Sequence, residues 1–195
     1  MDALRTPIGG ALIWVVLHSL DYFMTLWGET ERRRRADRVI IISGSYELNP
    51  LFQKDVDGRR WLSARFVVTL FGVAALIAAA NALAAKVPDG KAGQDGLLGV
   101  LLFTRTVIIA RHLQNIWLFR RMATHPSSVE GQLRYERRTV LLLSATQVAS
   151  VSALVALAAA LSPAPVLIGG ALGLTLLTLL NVALAFKRTA VAPGS

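Results

Sequence analysis

The residues best suited to chemistry lie inside an apolar stretch near the N-terminus of the chain. His18, Asp21 and Thr25 follow Trp14 by four, seven and eleven residues, so a helix places all four on one face. A charged side chain at bilayer depth costs at least about 2.5–3.5 kcal/mol, which predicts either a partner or a task for Asp21. An imidazole beside a carboxylate can transfer protons, or it can offer nitrogen and oxygen ligands to a metal ion.

Further polar residues occur in or next to the other apolar stretches of the chain. Side chains of this kind cannot face lipid without cost, so we expect them to point toward one another inside a helical bundle. The candidate catalytic residues are Asp21, His18, Glu47 and His112. The candidate substrate-binding residues are Arg65, Arg111, Asn115, Thr25, Asn49 and Gln147.

One chemistry for this set is a divalent metal site. Histidine and carboxylate ligands suit zinc, manganese or iron, and an incomplete protein shell leaves a water molecule for the metal to activate. The metal ligands in this hypothesis are His18, Asp21, Glu47 and His112. Their spacing matches no specific metal motif such as His-Glu-x-x-His.

Two other interpretations use the arginines. In the first, Arg65 and Arg111 bind a phosphate or carboxylate, such as a lipid headgroup, while a histidine acts as acid or base. In the second, Asp21 pairs with Arg111 and Glu47 pairs with Arg65, and these pairs only hold the bundle together. The sequence contains no Walker loop, nucleophile elbow or dinucleotide fingerprint that would favour a particular enzyme class.

The elements that position these residues are long apolar segments. Of the 195 residues, 54% are hydrophobic, and the mean hydropathy is +0.52. Five segments are long enough to cross about 30 Å of hydrocarbon, at 8–27, 61–85, 97–119, 139–161 and 165–186. The sequence therefore predicts an all-α, five-helix integral membrane protein that forms one domain over residues 1–195.

Basic residues predict the orientation of the bundle. They are concentrated in the first and third connections and after the fifth segment, whereas the opposite side carries only Arg5, Lys86 and Lys91. This asymmetry predicts a multi-pass protein of the cell membrane with its N-terminus outside and its C-terminus inside. The first segment exceeds a signal-peptide core and precedes no cleavage site, so we expect it to be retained. In this topology Arg111 and His112 lie near the depth of Asp21, and the polar site opens toward the cytoplasm.

The connection between the first two segments contains a short element of its own. Residues 39–42 are apolar, and Leu51 and Phe52 follow Glu47-Leu48-Asn49-Pro50. The apolar parts are too short to span, which predicts a re-entrant or interfacial element. Asn49 followed by Pro50 is typical of a helix start, with Asn49 as the cap and Pro50 at the first helical position.

Charge and small residues suggest the partners. The net charge is +9, and we expect membrane lipids as partners, with anionic lipid at Arg32, Arg33, Arg34 and Arg35. No stripe of stacking aromatics accompanies the arginines, so nucleic acid is not expected. Small-residue faces predict close helix packing, within the chain or in a homo-oligomer. These faces are Gly169-x-x-x-Gly173 and the stripe Ala145, Ala149, Ala153 and Ala156.

The chain contains the pattern Asp21-x-x-x-Thr25, then Glu47-x-Asn49-Pro50-Leu51, then a basic residue at Arg65. Through this pattern it resembles a family of small prokaryotic multi-pass membrane proteins that is defined only as a domain of unknown function. The resemblance covers about the first third of the chain. It implies that the first helix and the following connection form one unit, and it implies no reaction. The chain departs from the pattern by a long insertion at 29–43 and by arginine at position 65, where lysine is usual.

Three functions fit this sequence. The leading hypothesis is a membrane-embedded enzyme acting on a lipid or lipid-linked anionic substrate, with a divalent metal as a cofactor in one version. The first alternative is a small transporter or ligand-binding membrane subunit, and the second is a structural subunit of a membrane complex. A transporter needs a path to the outer side, whereas a structural subunit needs paired charges and no cavity.

Overall fold

The computed structural model describes residues 2–43, 45–125 and 131–187, and its architecture is mainly helical. The helices are α1 (Asp2–Arg5), α2 (Pro7–Glu31), α3 (Gln53–Asp57), α4 (Ala64–Ala84), α5 (Gly90–Thr124), α6 (Arg137–Leu161) and α7 (Pro165–Phe186). A π-helical turn (Arg32–Ala36) continues α2, and two short strands are β1 (Ile40–Ser43) and β2 (Leu133–Glu136). Five helices are long and apolar enough to cross a membrane, which confirms the all-α prediction with five candidate spans. Arg188 and Gly44 lie outside the described residues.

Local sequence signals explain where the long helices begin. The Thr6 hydroxyl accepts a hydrogen bond from the Gly9 N–H at 2.9 Å, and Pro7 takes the first position of α2. The Ser63 hydroxyl caps α4 by accepting from the Phe66 N–H at 3.1 Å. The largest difference from the prediction is α5, which extends beyond 97–119 in both directions because polar residues at its ends continue the helix outside the apolar core.

The long helices pack around α5. One side of α5 contacts α2, which also packs against α4, and the other side contacts α7, which packs against α6. Small residues allow the α5–α7 approach, since a Cβ added to Gly169 would lie 1.9 Å from the Gly96 carbonyl oxygen. The glycine motif is therefore an internal helix contact, whereas Ala153 and Ala156 of the alanine stripe are exposed.

The two strands form a parallel pair that the sequence did not predict. Ile40 pairs with Leu133 and Ser43 with Glu136, so the first connection is joined to the third. Apolar residues on either side of this pair bury the connection against the helices. Phe52 and Val56 pack with residues of α2 and α4, and Tyr46 packs with Phe119 of α5.

The predicted helix start at Asn49 is wrong. Helix α3 begins at Gln53, and Phe52 occupies its cap position. Asn49 forms a turn instead, because its side-chain oxygen accepts from the Leu51 N–H at 3.1 Å and its carbonyl accepts from the Phe52 N–H at 3.1 Å. Such local side-chain bonds of asparagine compete with helix initiation, and proline suits the second position of a turn equally well.

Candidate functional site

An ion pair between α2 and α5 forms the centre of the site. The Arg105 guanidinium donates to the Asp21 carboxylate, and His112 Nε2 lies 3.3 Å from the other carboxylate oxygen of Asp21. Arg105 and His112 are seven residues apart on one face of α5, so both reach the same acid. The predicted pairing of Asp21 with Arg111 is therefore wrong. Arg105 was not among the predicted site residues, and its long side chain is the one that reaches the carboxylate.

The hydrogen bonds around His112 determine which ring nitrogen carries the proton. The Thr25 hydroxyl donates to the Asp21 carbonyl oxygen at 2.8 Å, so its oxygen is left to accept from His112 Nε2 at 3.0 Å. The Asp21 carboxylate also accepts only. Nε2 therefore carries a hydrogen in either charge state, and in the neutral ring Nδ1 has a free lone pair. Nδ1 is buried and has no hydrogen-bond partner among the described residues.

His18 occupies an aromatic environment. Its ring stacks on Trp14 with 4.7 Å between centroids and on Phe66 with 5.6 Å, and only 3% of the residue is exposed. Neither ring nitrogen has a partner within residues 2–43, 45–125 and 131–187. The Arg105 guanidinium covers the Trp14 ring, with 4.6 Å from its carbon to the ring centroid. His18 thus packs beside the ion pair as part of an aromatic stack.

The predicted metal ligands are not brought together as one group. The described part of the chain contains no cluster of three or more histidine, aspartate or glutamate side chains arranged to hold a metal ion. Asp21 and His112 are in contact, but His18 faces aromatic rings and the Glu47 carboxylate accepts the Asn49 N–H at 2.6 Å. How these side chains turn depends on packing between elements: the rings around His18 come from Trp14 one turn earlier on α2, from Phe66 of α4 and from Phe52 of the first connection.

A cavity of about 240 Å³ lies beside His112, between α5, α6 and the two strands. Its walls are mostly apolar and include Ile42, Leu118 and Leu143. Polar side chains are grouped along α5 and α6, and those lining the cavity include Arg111, His112, Asn115, Ser144 and Gln147. The structure therefore places four predicted site residues, Arg111, His112, Asn115 and Gln147, around one cavity.

Two residues outside the predicted site organise this cavity. Ser144 accepts from the Arg111 guanidinium and lies 3.1 Å from the Asn181 amide nitrogen, so it fixes the arginine at the α6 wall. The Tyr46 hydroxyl accepts from the Asn115 amide at 3.2 Å, and burial raises the pKa of Tyr46 to about 12. The position of Ser144 on the face of α6 shared with Leu141 and Val148 was the available signal in the sequence.

Glu47 and Arg65 lie apart from each other. Burial raises the pKa of the Glu47 carboxyl; the Asn49 N–H opposes this shift, and the nearby Asp21 charge adds to it. Arg65 is exposed and donates to the Leu51 carbonyl at 3.2 Å. The predicted Glu47–Arg65 ion pair is therefore wrong for the residues that the structure describes. The turn at Asn49 holds Glu47 within electrostatic reach of Asp21, whereas Arg65 meets the same connection farther along, at Leu51.

No protein-family model, curated protein or solved structure matches this chain. The resemblance to a family of unknown function stays a prediction, and any function must be inferred from the geometry of the site. Of the residues in that pattern, Thr25 and Asp21 share a hydrogen bond and both lie against His112.

Proposed function

We propose that this protein is a membrane-embedded enzyme that acts on a lipid or lipid-linked anionic substrate, with His112 as general base. The supporting observation is that His112 lines a cavity together with Arg111 and that its buried Nδ1 has no hydrogen-bond partner among the described residues. In this proposal the N-terminus lies outside the cell membrane and the cavity faces the cytoplasm.

The contacts of His112 fit a proton-transfer role. When Nδ1 takes a proton from an attacking hydroxyl group, the ring becomes positive, and its Nε2–H already points at the Asp21 carboxylate and the Thr25 hydroxyl. These acceptors stabilise the imidazolium and hold the ring in one orientation. Arg105 holds the carboxylate in place from its other side.

Arg111 fits the recognition of a phosphate or carboxylate. A guanidinium offers several donors in one plane, and Ser144 occupies only part of this capacity. The attacking oxygen would bond to the phosphorus or carbonyl carbon, and the leaving oxygen would depart with its electron pair and receive the proton from His112. The reaction class is hydrolysis or transfer at an anionic ester.

The surroundings of the cavity fit an amphiphilic substrate. Helix α6 is joined to the bundle mainly through α7, and its backbone comes close to that of α5 at few points, although the Arg111 side chain bridges the two helices to Ser144. Apolar residues such as Leu118, Val140 and Leu143 line the intervening space. A lipid chain could enter between these helices from the bilayer while its anionic group meets Arg111.

Reconstitution with lipid substrates tests the proposal. The purified protein is incubated with a bacterial total lipid extract, and product formation is followed by mass spectrometry. We expect His112→Gln to lower the rate by about 100-fold or more, which is typical of the loss of a general base. The control His125→Gln, at the exposed end of α5, retains the rate. Equal rates for wild type and His112→Gln, or no lipid conversion by either, would refute the proposal.

The Asp21–Arg105 pair also fits the alternative of a structural subunit, because a paired buried charge can hold two helices together without chemistry. A structural role predicts that His112→Gln changes stability or assembly and that no lipid is converted. Elemental analysis of the same preparation tests the metal-assisted version of the enzyme.

A further inference from the structure

The arginine run at the end of α2 borders a second cavity, and its chemistry differs from that of the first. This cavity measures about 740 Å³ and includes Arg34, Arg38, Val39 and Met122 in its lining. The π-helical turn Arg32–Ala36 changes the spacing of the side chains at this point, and such turns are frequent at functional sites.

Buried glutamates hold three of the arginines. Glu29 is 1% exposed and accepts from both Arg32 and Arg33, at 2.8 Å for the Arg32 Nε. Glu31 is 4% exposed and pairs with Arg35 at 2.6 Å. Arg32 also pairs with Asp37 at 2.9 Å. These carboxylates fix Arg32, Arg33 and Arg35 in position, so these three arginines mainly stabilise the turn.

Arg34 and Arg38 are different. Like Arg33 and Arg35 they are exposed and line the cavity, but neither has an ion pair or hydrogen bond within residues 2–43, 45–125 and 131–187. They are four residues apart, and the neighbouring carboxylate Asp37 is already paired with Arg32. The result is an arginine pair with unused donors next to a turn whose other charges are fixed.

The apolar part of the cavity lining favours a phospholipid over a free phosphate ion. Val39, Met122 and Ala123 form an apolar part of the wall. A small soluble phosphate makes no use of such a wall, whereas the glycerol and upper chain of a phospholipid do. The cavity also lies at the end of a helix that is long and apolar enough to cross a membrane, which is where headgroups are found.

We propose that this cavity binds the headgroup of an anionic phospholipid, with Arg34 and Arg38 as the residues that contact its phosphate. This refines the expectation of anionic lipid at Arg32, Arg33, Arg34 and Arg35 by assigning two structural arginines to Glu29 and one to Glu31, and by adding Arg38. The site is independent of the proposed reaction at His112.

Native mass spectrometry of the detergent-purified protein, titrated with phosphatidic acid, tests the site. A basic residue near anionic lipid contributes about fivefold in affinity, so we expect Arg34→Gln with Arg38→Gln to weaken binding by about 30-fold. The matched control is Arg59→Gln with Arg134→Gln, which removes the same charge from exposed positions and is expected to change binding by less than about threefold. Phosphatidylcholine is expected to bind wild type and variants equally weakly.

Two further arms separate the sources of phosphate and guard against misfolding. Inorganic pyrophosphate that displaces phosphatidic acid at equal concentration would overturn the lipid assignment, as would equal losses in the Gln pair and its control. A DNA duplex bound by wild type and lost in the Arg34/Arg38 pair would also overturn it. If the Gln pair fails to fold, the charge-preserving variant Arg34→Lys with Arg38→Lys is measured instead, and retained lipid binding by this variant supports the site. The single variants Arg34→Gln and Arg38→Gln are measured as well, and lipid binding equal to wild type in both would contradict the site.

Discussion

Replacing Asp21 with alanine leaves the Arg105 guanidinium without its carboxylate partner between α2 and α5. Only 14% of the Asp21 side chain and 19% of the Arg105 side chain are exposed, so the pair is largely removed from solvent. Breaking a buried ion pair by removing one partner typically costs about 3–5 kcal/mol, because the other charge remains buried. For a protein of this size each kcal/mol lowers the melting temperature by about 2–4 °C, so we expect a decrease of about 6–20 °C.

A double-mutant comparison identifies the partner. Thermal unfolding in detergent is measured for Asp21→Ala alone, with Arg105→Met and with Arg111→Met. We expect Arg105→Met to restore at least half of the lost stability, since it removes the unpaired charge and keeps the side-chain volume. Arg111→Met leaves Arg105 unpaired and breaks the contact with Ser144, so we expect a further loss. Rescue by Arg111→Met, or an Asp21→Ala variant as stable as wild type, would refute the assigned pair.

Three other predictions concern pH, packing and topology. Burial raises the pKa of Glu47 in the folded state, so its contribution to the free energy of unfolding is complete below the ordinary value of 4.5 and is lost as pH rises through the raised value. Glu47→Gln should remove this pH dependence from unfolding curves measured between about pH 4 and 8. Gly169→Ala should destabilise the protein by about 2 kcal/mol or more in the same assay, because the added Cβ meets the α5 backbone, whereas Gly72→Ala, with nothing within 4 Å of its Cβ, should be neutral or stabilising. Since the chain has no cysteine, single cysteines at Arg38 and Asp89 should label from the cytoplasmic and the external side respectively, and the reverse pattern would contradict the predicted orientation.

Much of the bundle follows from the sequence because helix length and hydropathy are local properties. The five long helices and the shared face of His18, Asp21 and Thr25 needed only counting along a helix. The sequence did not determine which arginine pairs with Asp21. Arg105 and Arg111 are less than two helical turns apart, and an arginine side chain reaches over a similar length, so either could meet the same carboxylate. Pairing across helices therefore depends on rotation and side-chain direction, which a single sequence does not specify.

The missed features depend on contacts between distant residues. Strands β1 and β2 are each four residues long and lie in separate connections, so neither has a periodic signal strong enough to predict. Glu29 and Glu31 follow the apolar part of the first helix, where side chains are usually solvated, yet both are buried and pair with arginines that follow within four residues. Tyr46 belongs to the site only through the packing of the first connection against α5, where its hydroxyl meets Asn115.

The parallel pairing of β1 with β2 has a consequence for the order of biosynthesis. Ile40 and Leu133 are about 90 residues apart, and ribosomes add about 5–20 residues per second, so β1 waits about 5–20 s for its partner. Through this interval Ile40, Ile41 and Ile42 lack their partner strand. An unpaired apolar strand of this kind is prone to aggregation and is a typical binding site for chaperones. The cavity wall beside His112 can close only after α5, β2 and the start of α6 have all been synthesised. Slowing translation between α5 and α6 should therefore lower the yield of folded protein more than the same delay placed within α7.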